Sequence, residues 1–159
     1  MSLVSGTGET MKRILKTVDI PLTFTTYWTI MPKDTNYMSP LVFGGAMMSQ
    51  VDLAAATHAR MLLNWSRCDK AVTYKADFTF TGRSYAGDTI QFVSYVEEVR
   101  DNSIRFMVKV FRCPLPDGEN KGATEFEQIG EHELVFVTML GDEFTPHRLK
   151  DVIGEYTCQ

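Results

Sequence analysis

The chain is poor in residues that build disulfide frameworks and metal sites. It has only three cysteines, and their spacing matches neither a disulfide framework nor a C-x-x-C zinc motif. Free thiols are typical of a reducing compartment, so we predict a cytoplasmic protein. The three histidines do not cluster in sequence: His58, His132 and His147. We therefore expect no metal ion.

Long hydrophobic runs and an excess of basic residues are also absent. The longest uncharged stretch, residues 35–51, contains a proline and two glycines and is too polar to span a bilayer. Residues 1–11 lack the apolar core of a secretory signal, and we expect a flexible end there. With 16 Lys and Arg against 20 Asp and Glu, the net charge is -4. We therefore expect no nucleic-acid partner and no membrane partner.

The composition that remains is that of an ordinary globular domain. Hydrophobic residues make up 44% of the chain and charged residues 23%, and no internal repeat is visible. The length of 159 residues suits a single domain of about 150 residues. We predict one domain over residues 12–145, followed by a C-terminal tail over residues 146–159.

One segment, residues 46–63, has the composition of a helix. It is rich in Ala, Met and Leu and contains neither Gly nor Pro. Its apolar residues occupy almost the whole circumference, which is typical of a buried helix.

Strand-like segments lie on both sides of this helix. Residues 12–31 are rich in β-branched and aromatic residues but contain Pro21, so we predict an edge strand or two short strands. Four segments follow the helix: 72–82, 89–99, 103–112 and 131–140. In the first of them, alternation puts Tyr74 on the same apolar face as Ala76 and Phe78, and Thr73 on the polar face.

This order of elements predicts an α+β fold, with an antiparallel sheet of five or more strands wrapped around one long central helix. A single helix does not cover a five-stranded sheet. We therefore expect a dimer that extends the sheet or covers the remaining face.

Asp52 does not fit the apolar pattern of the helix. Its neighbours at three and four residues are Met48, Ser49, Ala55 and Ala56, none of which is a cation. If Asp52 is buried, its pKa rises and it becomes a better general base. The alternative is a side chain that points to solvent or caps a neighbouring group.

The pair Gly44 and Gly45 lies where the helix begins. The first amides of a helix lack intrahelical acceptors and carry partial positive charge. Because glycines let a ligand oxygen approach these amides, an oxyanion site is predicted here. An ordinary turn is the alternative.

Two sequence blocks connect these observations. Residues 31–36 read Met-Pro-Lys-Asp-Thr-Asn, and residues 43–52 read Phe-Gly-Gly-Ala-Met-Met-Ser-Gln-Val-Asp. Both blocks resemble the hotdog-fold acyl-CoA thioesterases of the bacterial broad-specificity type. The resemblance extends more loosely over residues 14–140.

The resemblance implies a hotdog fold that hydrolyses an acyl-CoA thioester to a free acid and CoA. It implies no metal or redox cofactor, with coenzyme A entering only as part of the substrate. It also implies self-association as a dimer or as a trimer of dimers. The active site would lie at the dimer interface, where Asp52 of one protomer faces the glycine loop of the other.

The resemblance further implies roles for individual residues. Asp52 would act as general base on a water molecule or as the nucleophile. Backbone amides near Gly44, Gly45 and Ala46 would polarise the thioester carbonyl.

Three further residues of the two blocks would line the substrate. Phe43 would pack beside the acyl or pantetheine arm, and Ser49 would flank the site. Asn36 would order its loop, or it would be a turn residue that bonds its own backbone.

The CoA phosphates would need local cations. The candidates are Lys75, Arg83, Arg100 and Arg105. The alternative is that these residues form a solvated charged face.

The segment between the two blocks departs from the family. It has six residues, 37–42, where five are usual, and Pro40 and Leu41 replace a glycine and a polar residue. This departure keeps a non-catalytic acyl-CoA-binding module as an alternative function. A hydratase or dehydratase of the same fold is a further alternative, but the loop 32–45 lacks the histidine that such enzymes need.

Overall fold

The computed structural model describes residues 22–66, 70–100, 102–113, 126–139 and 156–157. The elements are β1 (Thr23–Thr29), a short 3-10 helix (Pro32–Asp34), α1 (Gly44–Ser66), β2 (Lys70–Phe80), β3 (Thr89–Val99), β4 (Ser103–Cys113), β5 (Glu127–Met139) and β6 (Tyr156–Thr157). The predicted flexible end, the strand residues before position 22 and most of the C-terminal tail lie outside the described residues.

The strands form one antiparallel sheet in the order β1-β3-β4-β5-β2, and β6 pairs with the end of β3. β3 and β4 coincide closely with the predicted segments 89–99 and 103–112, and the Arg100 amide donates to the Ser103 carbonyl at 2.8 Å between them. The predicted α+β architecture of an antiparallel sheet with one long helix is therefore confirmed. Among the described elements, β6 and the short 3-10 helix have no counterpart in the sequence prediction.

The core lies between α1 and one face of the sheet. β4 contributes its alternate residues, from Ile104 to Val110, and α1 contributes small alanines and larger apolar side chains. Alanines at the contact let the helix axis approach the sheet closely. Each large side chain that is fully buried here contributes about 1.5–3 kcal/mol of hydrophobic stabilisation.

The helix is buried on one face only. Met47 and Val51 are buried against the sheet, whereas Leu53 is 56% exposed and Met48 is 38% exposed. The prediction of a helix buried all round is therefore wrong for a single chain. The apolar pattern extends onto a face that the described part of this chain does not cover.

Strand β2 also departs from the simple alternation. Its register with β5 shifts between Thr73 and Lys75, which indicates a β-bulge. The extra residue, Tyr74, is 76% exposed. The prediction that Tyr74 shares a face with Ala76 and Phe78 is wrong, because one inserted residue reverses the alternation.

His132 of β5 is buried between aromatic rings. Its Nδ1 accepts a hydrogen bond from the Thr79 amide at 3.1 Å, and the rings of Phe78 and Phe80 lie 5.5 and 5.1 Å away. Gly130 leaves room for the imidazole, since a Cβ there would lie 2.6 Å from Nε2. Nε2 has no partner among the described residues, and burial lowers the pKa of His132 to about 4.

This pKa predicts an acid-sensitive step in stability. The unfolded histidine titrates near 6.5 and the native one near 4, so the unfolded state binds the extra proton between these values. The contribution of His132 is complete above pH 6.5 and declines by up to about 3 kcal/mol as the pH falls to 4. We expect His132→Leu to flatten the dependence of the thermal midpoint on pH across this window. An unchanged slope in the variant would contradict this assignment.

Candidate active site

Helix α1 begins with two glycine amides that the helix does not use. The Phe43 amide donates to the Asp34 carbonyl at 2.8 Å, and the Phe43 carbonyl accepts from the Ala46 amide at 2.9 Å. The Ala46 amide is thus engaged in the first turn. The amides of Gly44 and Gly45 precede it and have no intrahelical acceptor.

The surroundings of the two glycines differ. A Cβ at Gly44 would meet nothing within 4 Å, so space around this residue is open. A Cβ at Gly45 would lie 2.6 Å from Cε1 of Phe43, because the phenyl ring lies over that residue. Phe43 itself is 56% exposed. The helix start therefore offers open backbone beside an exposed aromatic ring.

Asn36 stabilises the loop that leads to this helix start. Its backbone amide and its side-chain Nδ2 both donate to the Leu41 carbonyl, at 2.9 and 3.3 Å. The Leu41 amide donates to the Ser39 hydroxyl at 3.2 Å. Asn36 therefore binds its own loop, as expected of a turn residue.

Asp52 lies about two turns along α1 from the glycines and is half-buried. Its Oδ1 accepts a hydrogen bond from the Thr73 hydroxyl at 2.6 Å. Thr73 belongs to β2 at the bulge, and the shifted register directs its side chain toward the helix. The second carboxylate oxygen remains for another partner.

Thr73 is the residue that sequence reasoning missed. Simple alternation places it on the polar face of β2, and a bulge is not visible in the order of apolar and polar residues. The sequence offers one weak signal for this contact: Thr73 carries a hydroxyl donor and follows soon after the helix that carries Asp52.

Helix geometry fixes the separation between Asp52 and Gly44. Eight residues at 1.5 Å each give a distance of about 12 Å along the axis. A general base must lie within hydrogen-bond reach of the proton that it removes. Asp52 and the glycine amides of one chain therefore do not converge on a single carbonyl group.

The remaining predicted site residues are Ser49 and the cations that were candidates for phosphate binding. Ser49 is exposed on α1, and its role as a substrate contact stays a prediction. Among the candidates for phosphate binding, Lys75 pairs with Asp77 at 2.8 Å and Arg100 with Glu98 at 2.7 Å. Arg83 is exposed.

No described His, Cys, Asp or Glu residues form a group of three that could hold a metal ion. None of the described helices is long and apolar enough to cross a membrane. The cytoplasmic location stays a prediction.

Comparison with known proteins agrees with this architecture. The sequence profile of the thioesterase superfamily matches residues 40–114. A hexameric hotdog fold thioesterase of Campylobacter jejuni superposes with a TM-score of 0.67 and 29% identity, covering 81% of this chain and 94% of that one. The chain has the hotdog fold. The resemblance to hotdog acyl-CoA thioesterases seen in the sequence is confirmed.

More distant hotdog structures share the fold. An acyl-CoA hydrolase from Staphylococcus aureus, in complex with butyryl coenzyme A and coenzyme A, gives a TM-score of 0.64 at 24% identity and covers 79% of this chain and 70% of that one. The 4-hydroxybenzoyl CoA thioesterase of a Pseudomonas strain gives 0.62 at 13% identity, covering 77% and 88%. No curated protein sequence matches the chain.

The contact between Thr73 and Asp52 predicts a measurable loss on substitution. Thr73→Val keeps the shape of the side chain but removes the hydroxyl donor. We expect the free energy of unfolding to fall by about 0.5–1.5 kcal/mol. Thr73→Ser, which keeps the hydroxyl, is the matched control, and urea unfolding measures both. Equal losses in the two variants would show that the hydrogen bond does not contribute.

Proposed function

We propose that the protein is an acyl-CoA thioesterase, which hydrolyses an acyl-CoA to a free acid and CoA. The observation that carries this proposal is Asp52, half-buried on the central helix and oriented by the Thr73 hydroxyl at 2.6 Å. The relatives support it, since the Campylobacter jejuni protein is a thioesterase and the Staphylococcus aureus protein is an acyl-CoA hydrolase.

The proposed reaction uses Asp52 as a general base. Thr73 donates to Oδ1, so Oδ2 is available to remove a proton from a water molecule. The water oxygen attacks the thioester carbonyl carbon, and the amides of Gly44 and Gly45 bind the carbonyl oxygen as negative charge develops. The tetrahedral intermediate then expels the CoA thiolate, which takes up the proton. Direct attack by Asp52 on the carbonyl is the alternative first step.

The proposed site needs two copies of the chain. Asp52 and Gly44 of one chain are about 12 Å apart along α1, too far to act on one carbonyl group. β2 is an edge strand of the described sheet, and it exposes Val72 and Tyr74. The outer face of α1 exposes Leu53. A dimer that covers these residues would bring Asp52 of one protomer to the glycine amides of its partner.

Phe43 belongs to the same proposal. Its exposed ring lies over Gly45, beside the amides that would hold the carbonyl oxygen. An apolar ring at this position suits contact with the acyl chain or the pantetheine arm of the substrate.

Replacement of the carboxylate tests the proposed function. For Asp52→Asn we expect kcat for CoA release to fall by at least about 100-fold, because the amide cannot accept the proton. Asp77→Asn is the control, since Asp77 is an exposed carboxylate on β2 paired with Lys75. The measurement is thiol release from a panel of short, medium and long acyl-CoAs. Unchanged turnover in Asp52→Asn would remove this residue from the mechanism.

An inactive wild type would decide between the two main functions. A folded protein that binds acyl-CoA but releases no CoA across the panel would contradict the thioesterase proposal. It would favour the non-catalytic binding module, which the altered loop at Pro40 and Leu41 suggested.

Mixing two inactive variants tests the shared site. Gly44→Val places bulk in the open space at the helix start, and Asp52→Asn removes the base. In a mixed dimer one site would combine the intact glycine of one chain with the intact aspartate of the other. After subunits exchange at equal concentrations, we expect about one quarter of wild-type activity to return. If each chain holds its own complete site, the mixture would stay inactive.

A further inference from the structure

A second loop, residues 84–88, lies against the segment that leads to helix α1. Two backbone hydrogen bonds join the two: the Val42 amide donates to the Ser84 carbonyl and the Ala86 amide to the Pro40 carbonyl, each at 2.9 Å. Together they make Leu41 and Tyr85 an antiparallel pair. Only Phe43 separates Val42 from Gly44. The position of the second loop therefore determines where the helix begins.

This second loop is closed by one buried carboxylate. Oδ2 of Asp88 accepts the Tyr85 amide at 2.8 Å and Nε of Arg112 at 2.7 Å. The Arg112 guanidinium also lies over the Tyr85 ring, 5.2 Å from its centroid. Asp88 is only 3% exposed, so its carboxylate is shielded from solvent, whereas the Arg112 side chain is partly exposed. Gly87, with φ of 91°, provides the turn conformation that other residues rarely adopt.

The same contacts explain how the altered loop is held. Pro40 and Leu41 bring no polar side chain to this position, but the backbone on both sides of Leu41 is bonded to the second loop, the Pro40 carbonyl to the Ala86 amide and the Val42 amide to the Ser84 carbonyl. The anchor for these backbone contacts is the Asp88–Arg112 pair, which ties the second loop to β4.

We propose that Asp88, together with Arg112, is a positioning residue for the oxyanion amides of Gly44 and Gly45. This inference depends on the proposed function. The pair orients Tyr85, the neighbouring backbone holds Leu41 and Val42, and these residues fix the helix start. Because a displacement of about 1 Å at such amides is enough to weaken transition-state binding, the pair acts on catalysis without touching the substrate.

The chain offers a matched control for this pair. Glu98, near the other end of β3, also accepts an arginine Nε at 2.7 Å, from Arg100. Glu98 and Arg100 lie at the end of β3 that is remote from residues 84–88. Glu98→Gln therefore removes a carboxylate that pairs with Arg100 and also lies 3.2 Å from Nη2 of Arg105, at the far end of β3 from Asp88.

The kinetic test compares Asp88→Asn with Glu98→Gln at a temperature where both are folded. For Asp88→Asn we expect kcat to fall by about 10- to 100-fold while KM changes by less than about twofold. For Glu98→Gln we expect both constants to stay within about twofold of wild type. An equal effect of the two variants, or a loss carried by KM alone, would overturn the proposal.

Arg112 supplies a second variant in case Asp88→Asn does not fold. Arg112→Lys keeps a cation beside Asp88, whereas Arg112→Met removes it. We expect Arg112→Met to reproduce the kcat loss and Arg112→Lys to recover at least a third of wild-type kcat. Equal kcat in the two variants would show that the ion pair does not position the amides.

Hydrogen–deuterium exchange separates failure of this inference from failure of the proposed function. In Asp88→Asn, amides of residues 40–46 should exchange faster than in wild type, with β4 and β5 unchanged. Glu98→Gln should leave residues 40–46 unaffected. If the wild type proves inactive, the proposed function fails, and unchanged exchange in Asp88→Asn would independently refute the positioning role.

Discussion

The packing of α1 across one face of the antiparallel sheet is the constraint on which the rest of the structure depends. It buries helix residues from Met47 and Val51 to Leu62. The same rigid element carries two glycine amides at its start and Asp52 about 12 Å further along. A helix cannot bend enough to bring these groups together, so the proposed chemistry requires a partner chain.

Much of this arrangement could be predicted from the sequence because it follows from local patterns. Helix-forming residues after Gly45 predicted α1, and the strand-like segments that follow the helix predicted β2 to β5. Asp52 stood out because no cation lies at helical spacing from it. Thr73 could not be found in this way, since a single inserted residue at Tyr74 reverses the alternation of β2. The contacts of the second loop also depend on residues far apart in sequence.

The loop before the helix shows how a departure from the family pattern is accommodated. Pro40 and Leu41 bring no polar side chain to the loop, but the backbone of Pro40 and Val42, on both sides of Leu41, is bonded to the 84–88 turn. The buried Asp88–Arg112 pair closes that turn through a single carboxylate oxygen. Fixed geometry at the helix start is thus achieved by backbone contacts rather than by one polar side chain.

The most direct test of this account is a crystal structure of the protein with a non-hydrolysable acyl-CoA analogue. The account predicts that the carbonyl oxygen lies about 3 Å from the amides of Gly44 and Gly45 of one protomer. The Asp52 carboxylate near the same carbonyl carbon should belong to the partner protomer. An analogue bound away from the helix start, or contacted by Asp52 and both glycines of one chain, would contradict the account.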